Sequence, residues 1–228
     1  MSPFRFFRSS KLPCARGDSH CRHSFLSSLY KLRHHACFRR NSQIVVAAPG
    51  ERQAAELVAK AKRFAQELRL GVKGDPVNRV ACVFPNGSRL VAIPWREDKI
   101  RGFSAVSMLV LDEASRVADE LYEAVRPMLA TTDGALWLIS TPYGKTGFFY
   151  KEWAFGGEEW MRVAVRAPEC SRISKRFLET ERQRLSEATF AQEYLCEFVQ
   201  GEDALFAEAD IRASFREDVP TLEVPGWG

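Results

Sequence analysis

The most informative segment of this sequence is Ser107-Met108-Leu109-Val110-Leu111-Asp112-Glu113-Ala114-Ser115. Its four consecutive apolar residues, 108–111, predict a strand buried on both faces, as in the middle of a parallel sheet. Asp112 and Glu113 follow at the C-terminal end of this strand, which is the edge where open α/β sheets bind ligands. Taken alone, Asp112 and Glu113 are as consistent with a ligand-binding site as with a buried strand that simply ends in two solvated charged residues.

An apolar strand followed by Asp-Glu is also the Walker B pattern of nucleotide hydrolases. A second apolar strand, residues 135–139, ends in Ser140 and Thr141, and Pro142 prevents further pairing. Neighbouring parallel strands end at the same edge of a sheet, so these hydroxyls and the carboxylates of Asp112 and Glu113 would face each other across a phosphate site.

The segment between the two strands, residues 117–130, has the spacing of an amphipathic helix, and Ser115 is placed to cap it. Its apolar face consists of Leu121, Ala124, Val125, Met128 and Leu129. Strand, helix and strand in this order predict a parallel crossover.

An ordered series of motifs resembles the ATPase domain of tailed-phage terminase large subunits, the motors that pump phage DNA into empty capsids. The motifs are Ile100-Arg101-Gly102-Phe103-Ser104-Ala105, Leu109 to Ala114, Leu121 to Leu129, Ser140 to Tyr150, and Phe190 to Phe198. The resemblance covers roughly residues 43 to 210. It implies an α/β fold of the P-loop NTPase type, in the additional-strand class, with a mostly parallel sheet and helices on both faces.

The resemblance also implies roles for the residues at the sheet edge. Asp112 would hold Mg²⁺ on the phosphates of ATP, and Glu113 would act as general base toward water. Ser140 and Thr141 would sense the γ-phosphate and couple hydrolysis to DNA movement. The implied partners are double-stranded DNA, the terminase small subunit, the portal of the procapsid and further copies of the chain, in the cytoplasm of a bacterial host.

Three cations, Arg96, Lys99 and Arg101, lie between the hairpin predicted at 80–94 and the strand at 108–111. A solvated loop is the simpler interpretation. Contact with DNA phosphates or with the nucleotide of a neighbouring subunit is the functional one. Similarity to an Arg-Gly element of the family places Arg101 ahead of the other two.

A Walker A loop, G-x-x-x-x-G-K-[ST], is missing from all 228 residues. Gly144-Lys145-Thr146 is not a substitute, because Ile139 stands where the first Gly is required. We therefore expect this chain to be a defective ATPase. A prophage remnant that folds without hydrolysing ATP is one alternative, and a helicase-like ATPase is another, although helicase signatures are missing from the C-terminal half.

The chain divides into three parts by composition. Residues 1–42 are basic and rich in aromatic residues and histidine, and we interpret them as a truncated or mis-started N-terminus. The resemblance implies that residues 43–200 form the ATPase domain and that residues 201–228, which are acidic, are a linker toward a nuclease domain that this sequence does not include. Zinc binding within 1–42 is disfavoured because its Cys and His residues lack the usual ligand spacing. Organelle targeting is a third interpretation of this basic segment.

Composition agrees with an ordinary globular α/β protein. The chain is 46% hydrophobic and 27% charged, and its net charge of +4 permits a DNA-binding face without requiring one. The six cysteines are too scattered for a disulfide framework, so reduced thiols are expected. No apolar run reaches the roughly 18 residues of a membrane helix, so we expect no membrane association.

Other periodic segments predict the rest of the domain. They are a strand at 43–48, a helix at 51–69, a hairpin around Asn86-Gly87, a strand at 161–167, a helix capped by Ser174, and a last helix with Phe190, Tyr194 and Phe198 on its buried face. The aromatic group between Phe148 and Trp160 is interpreted as core packing in preference to base stacking.

Overall fold

The computed structural model describes residues 40–75, 80–95, 102–200 and 214, together with the backbone of residues 4–8. One sheet of eight strands runs through these residues, in the order β3-β4-β5-β2-β6-β7-β1-β8. The strands are β1 Phe4–Arg8, β2 Gln43–Ala48, β3 Lys73–Gly74, β4 Ala81–Val83, β5 Arg89–Pro94, β6 Met108–Asp112, β7 Ala135–Ser140 and β8 Trp160–Ala164. The α-helices are α1 Glu51–Glu67, α2 Asp119–Val125, α3 Gly147–Phe155, α4 Lys175–Arg184 and α5 Glu187–Leu195.

The centre of the sheet is parallel, as the apolar runs predict. Strand β2 pairs in parallel with β5 and β6, and β6 pairs in parallel with β7. Leu109 and Leu111 of β6 are fully buried against one face of the sheet, while Met108 is fully buried against the other. Full burial of such side chains contributes about 1.5–3 kcal/mol each, which accounts for the unbroken apolar run in this strand.

Helices cover both faces of the sheet, which confirms the predicted fold class. On one face α1 packs Ala54 and Val58 against the even-numbered residues of β2. On the other face α2 and α3 pack Tyr122 and Phe148 against Leu109 and its neighbours. This division follows from the alternation of side chains along each strand. Within the described ranges, none of the helices is both long enough and apolar enough to cross a membrane.

The crossover between β6 and β7 departs from the single helix predicted over 117–130. Helix α2 occupies only Asp119–Val125, and a 3₁₀ turn, Arg126–Leu129, follows it. Pro127 has no backbone N–H to donate to the preceding turn, so the α-helix gives way at this point. The predicted N-cap is also wrong: Ala118 occupies the cap position without a side-chain hydrogen bond.

The predicted hairpin is confirmed, and a short third strand extends it. Strands β4 and β5 are antiparallel and are joined through Asn86-Gly87, where Gly87 adopts a φ of 82°. Strand β3, for which the sequence predicted no strand, pairs with β4. The Arg89 guanidinium donates to Asp75 at 2.6 Å beside this strand.

Strand β1 lies in the segment that sequence analysis interpreted as atypical, and no strand was predicted there. It runs antiparallel to β7 on one side and to β8 on the other. Phe4 is therefore opposite both Ser140 and Ala164. It follows that β7 and β8 point the same way, and that the chain leaves β8 at the edge where Asp112 and Ser140 lie.

The C-terminal elements are shorter than predicted. Strand β8 ends at Ala164 instead of residue 167, and a 3₁₀ turn, Ala167–Glu169, follows with Pro168 in its first turn. Helix α4 begins as predicted, because the Ser174 hydroxyl accepts the Phe177 N–H at 3.2 Å. Helix α5 ends before Cys196, whose φ of 62° is left-handed, so Phe198 lies beyond the helix on which it was predicted.

The aromatic group between 148 and 160 is mainly core, as interpreted from the sequence. Phe148, Phe149 and Trp160 are at most 5% exposed. Phe198 joins this group, with its ring 6.0 Å from that of Phe149. Phe155 is the exception, at 73% exposed.

Candidate functional site

The two predicted clusters of polar residues lie at the same edge of the sheet. Asp112 is the last residue of β6 and is in register with Ile139 of β7. Glu113, which follows β6, and Ser140, the last residue of β7, therefore lie at the same level on two neighbouring strands. Parallel pairing of β6 with β7 thus brings carboxylates and hydroxyls together at the C-terminal edge, where ligands bind in this class of sheet.

Glu113 has an unusual backbone conformation. Its φ of 51° and ψ of 43° are left-handed, and its N–H donates to the Asp112 carboxylate at 3.2 Å. The left-handed conformation raises the conformational energy of a residue other than Gly by on the order of 1–2 kcal/mol. Such residues concentrate at functional sites, where the surrounding structure holds them. The strain at Glu113 marks the turn after β6 as a candidate site.

Two serine hydroxyls hold this turn against the end of β7. The Ser140 Oγ accepts the Ser115 N–H at 3.1 Å, and the two Oγ atoms are 2.7 Å apart. Ser140 is only 1% exposed, so its hydroxyl is committed to this contact. Ser115, expected to cap a helix, instead connects the 3₁₀ turn Ala114–Arg116 after Glu113 to the strand that ends in Ser140.

Asp119 fixes the start of α3, the helix that follows the loop 141–146. One carboxylate oxygen accepts the Phe148 N–H at 2.6 Å, and the other accepts Lys151 Nζ at 3.1 Å. A carboxylate at a helix N-terminus satisfies a free N–H group and interacts favourably with the helix dipole. Gly147 has a φ of 74° just before this contact. Asp119 therefore acts as an N-cap supplied by another helix.

The contact between α2 and α3 continues beyond Asp119. The Tyr122 ring is stacked on Phe148 with 4.0 Å between centroids, and the Tyr122 hydroxyl donates to Glu152 at 2.8 Å. At the other end of α3, the Arg162 guanidinium donates to the carbonyls of Glu152 and Trp153 at 2.9 and 2.8 Å, and also to Gly156. Both ends of α3 are thus held, which fixes the loop between it and Ser140.

We expect Asp119→Ala to destabilise the fold by about 1 kcal/mol at neutral pH, the typical loss for a helix N-cap. Burial raises the pKa of Asp119, but the hydrogen bonds from Phe148 and Lys151 and the charge of Lys151 outweigh it and lower the pKa below its usual value. The stabilisation is therefore present above the unfolded pKa and is lost as pH falls through the folded pKa. Solvent screening keeps it small, because the side chain is 36% exposed.

Urea denaturation between pH 7 and pH 3 would measure this effect against Glu120→Ala, an exposed acid in the same helix turn. The free-energy gap between the two variants should be largest at neutral pH and should narrow toward pH 3, as the pH approaches the lowered pKa of Asp119. A gap that is absent at neutral pH, or that does not change with pH, would contradict the role of Asp119.

The residues at the edge fit Mg²⁺ bound together with phosphates, but not a metal bound by protein alone. The described part of the chain contains no group of three or more His, Cys, Asp or Glu able to hold a metal ion. Mg²⁺ usually binds one or two carboxylates, several waters and substrate phosphates. Asp112, a half-buried carboxylate at a strand end, is the residue here that matches this pattern.

The described cysteines do not extend the site. Burial raises the pKa of Cys82 to about 11 and that of Cys196 to about 12, so both thiols stay protonated and unreactive at neutral pH. Cys82, Cys170 and Cys196 are all free, in agreement with the expected reduced thiols.

Several predicted residues lie outside the described ranges. They are Arg96, Lys99 and Arg101, and the Cys and His residues of segment 1–42. Other cations occur near the edge: the Arg116 guanidinium lies 4.2 Å from the centroid of the half-exposed Tyr143 ring, and Lys145 is exposed.

Sequence reasoning missed the roles of Ser115 and Asp119. Ser115 directly follows the Asp-Glu-Ala motif, and this position could have pointed to a contact with the next strand. Asp119 is 29 residues from Phe148, its backbone partner. No local pattern indicates that pairing, because it depends on how α2 and α3 pack.

Comparison with known proteins places these observations in a family. Residues 27–213 match the family described as terminase large subunit, T4likevirus-type, N-terminal. The large terminase ATPase domain of Thermus phage P74-26 is similar in structure: TM-score 0.60, 21% identity, covering 76% of this chain and 83% of that one. No protein with a curated description matches the chain by sequence.

The large terminase of another thermophilic bacteriophage is similar as well. One crystal form of that protein gives a TM-score of 0.64 at 15% identity, covering 90% of this chain and 52% of that one. The same terminase in complex with ATP-gamma-S gives 0.65 at 12% identity, covering 80% of this chain and 46% of that one. This chain therefore spans about half the length of that terminase.

Proposed function

The chain belongs to the T4likevirus-type terminase large-subunit family, in its N-terminal part, and on that premise we propose that it is the ATPase motor domain that couples ATP hydrolysis to the packaging of double-stranded DNA. Hydrolysis is defective in the 228 residues as they stand, because they contain no Walker A loop. The observation that carries the proposal is the pairing of β6 with β7. This pairing, with Asp112 in register with Ile139, supports a site to which Asp112 and Glu113 contribute together with Ser140 and Thr141.

Each residue at this edge has a role in the proposal. Asp112 would hold Mg²⁺, which would neutralise charge on the phosphates of ATP. Glu113 takes a proton from the attacking water, and the strained turn fixes its position. Thr141, which is half-buried, contacts the γ-phosphate region, and Ser140 transmits changes there through its bonds to Ser115. The turn that carries Glu113 and the loop before α3 then move together.

The proposed partners follow from the family. They are double-stranded DNA, the terminase small subunit, the portal of the procapsid and other copies of the chain, in the cytoplasm of a bacterium that carries the phage or prophage. ATP as the nucleotide is supported by the structures of the thermophilic-phage terminase in complex with ADP and with ATP-gamma-S. Arg101, Arg96 and Lys99 remain proposed contacts to DNA or to a neighbouring subunit.

A second candidate is a prophage remnant that folds without hydrolysing ATP. The direction of β1 favours it. A P-loop follows the C-terminal end of a strand. Strand β1 lies beside β7 but runs the opposite way, with Phe4 opposite Ser140, so it brings no such loop to the edge.

The experiment that separates the two candidates restores the missing loop. In the loop-bearing chimera, residues 1–42 are replaced by a strand–loop–helix segment containing G-x-x-x-x-G-K-[ST]. We expect the chimera to bind ATP in a Mg²⁺-dependent manner, as measured with a fluorescent analogue. Asp112→Asn should weaken that binding by about 10- to 100-fold, as loss of a group that supports a metal does.

Glu120→Gln, in the exposed first turn of α2, is the matched control and should leave ATP binding unchanged. A folded chimera that binds no ATP would favour the remnant. Equal ATP binding by the chimera and its Asp112→Asn variant would remove Asp112 from the site.

A further inference from the structure

We propose that the start of α4 is a contact surface for the phosphates of duplex DNA. This phosphate surface consists of Arg172, Lys175 and Arg176. The inference rests on the proposed function for the presence of a duplex, and it assigns to that duplex a place on the domain.

All three cations of the phosphate surface are exposed. Among the residues that the structure describes, none of the three forms an ion pair. Glu179, four residues after Lys175, is the nearest acid along the helix and makes no ion pair within the described ranges either. Three positive charges within five positions therefore form no ion pair in the described fold.

Two of these cations lie at positions where they destabilise the helix. Lys175 and Arg176 occupy the first turn of α4, where the helix dipole disfavours positive charge. The cations at the other end of α4 are accounted for by structure: Arg184 pairs with Glu181 at 3.5 Å, and Arg182 lies 5.8 Å from the Phe190 ring. The cations at the start of α4 have no comparable contact in the described fold, and an anionic partner supplies one.

The phosphate surface also lies on the appropriate side of the domain. Strand β8 points the same way as β7, so the chain after Ala164 emerges at the edge that carries Asp112 and Ser140. Helices α4 and α5 both pack against the 3₁₀ turn that follows β8. The Cys196 thiol, just after α5, donates to the Val165 carbonyl at 3.3 Å. Helix α4 thus packs against the turn by which the chain leaves β8, the strand that ends at the edge proposed for hydrolysis.

Duplex DNA fits this surface better than a small anion does. Lys175 and Arg176 lie in the first helix turn, and Arg172 lies two residues before the N-cap, so the charges are spread over an exposed surface. A duplex presents phosphates at regular intervals along its length. Contacts of this kind position a protein on DNA without reading its sequence.

The test is the triple variant Arg172→Gln/Lys175→Gln/Arg176→Gln in the 228-residue chain. Binding to a labelled duplex of about 30 base pairs is followed by fluorescence anisotropy from about 50 to 300 mM salt, because each lost phosphate contact lowers the slope of log K against log salt by about 0.9. The triple variant should lose at least about tenfold in affinity at the lowest salt, and its slope should fall by about two to three.

The matched control is Arg40→Gln/Arg63→Gln/Lys73→Gln, which removes three exposed cations elsewhere and changes the net charge equally. It should retain the unaltered chain's affinity to within about twofold, because local contacts and not total charge determine the slope. The melting temperature of the α4 variant should stay the same or rise, since cations are removed from a helix N-terminus.

Three outcomes would overturn the inference. If the α4 variant binds duplex as the unaltered chain does, the cations serve another acidic partner, while the proposed function stands. If the control variant loses as much affinity as the α4 variant, net charge alone explains binding. If the unaltered chain binds no duplex even at the lowest salt, both this surface and the DNA-packaging role fail.

Discussion

The 228-residue chain is expected to release no phosphate from ATP above background. The roles proposed for Asp112 and Glu113 require a phosphate that backbone N–H groups and a Lys already hold. The sequence contains no Walker A loop to bind the phosphates. A P-loop follows the end of a strand, but β1 has its first residue and not its last at this edge. ATP would then be neither bound nor aligned with water.

The expected loss is large because positioning provides most of the catalysis in phosphoryl transfer. Well-oriented reactants gain effective molarities on the order of 10⁵ to 10⁸ M, and preorganised charge adds further orders of magnitude. A coupled phosphate-release assay at millimolar ATP would measure the difference, with the loop-bearing chimera as the positive control. Steady hydrolysis by the unaltered chain that Glu113→Gln removes would contradict the prediction and would require another phosphate site.

Glu113→Gln in the loop-bearing chimera is expected to abolish turnover while ATP stays bound. The amide keeps the size of the carboxylate but cannot take a proton from water, and a general base typically contributes about 10²- to 10⁴-fold. The left-handed backbone at Glu113 tolerates Gln as it tolerates Glu, so the turn should be unchanged. Loss of rate without loss of binding is the signature of an interaction made only in the transition state.

Glu120→Gln provides the control for this experiment, because it makes the same chemical change on an exposed helix turn. Its turnover should equal that of the parent chimera. If the Glu113→Gln variant turns over ATP within about threefold of the parent rate, Glu113 is not the base, because loss of a general base should lower the rate far more than that. Loss of ATP binding in that variant would instead make Glu113 a binding residue.

The centre of the fold was predictable because its signals are local. The apolar run before Asp112 and the one before Ser140 each specify a buried strand, and parallel pairing then places both ends at one edge. Helix α1 and the hairpin at Asn86-Gly87 follow equally from short-range periodicity and turn chemistry. Burial of these elements in the observed core agrees with the patterns that predicted them.

The parts of the fold that escaped prediction depend on contacts between distant residues. A Ser at position 115 is typical of a helix N-cap. Its hydroxyl instead contacts Ser140 at 2.7 Å, because the register of β6 against β7 brings the two residues together. Asp119 caps α3 only because α2 and α3 pack together. Strand β1 carries no alternating pattern that marks it as a sheet strand, and its place between β7 and β8 is a tertiary property.

The central claim is that the edge formed by β6 and β7 hydrolyses ATP, with Glu113 as the base, once a Walker A loop holds the phosphates. The most direct test is a single-turnover experiment in which labelled ATP is bound to the loop-bearing chimera, the reaction is quenched in acid, and bound ATP and ADP are separated. The account predicts that the chimera converts its bound ATP to ADP, whereas its Glu113→Gln variant retains ATP intact. Conversion of bound ATP at the same rate in both proteins would contradict it.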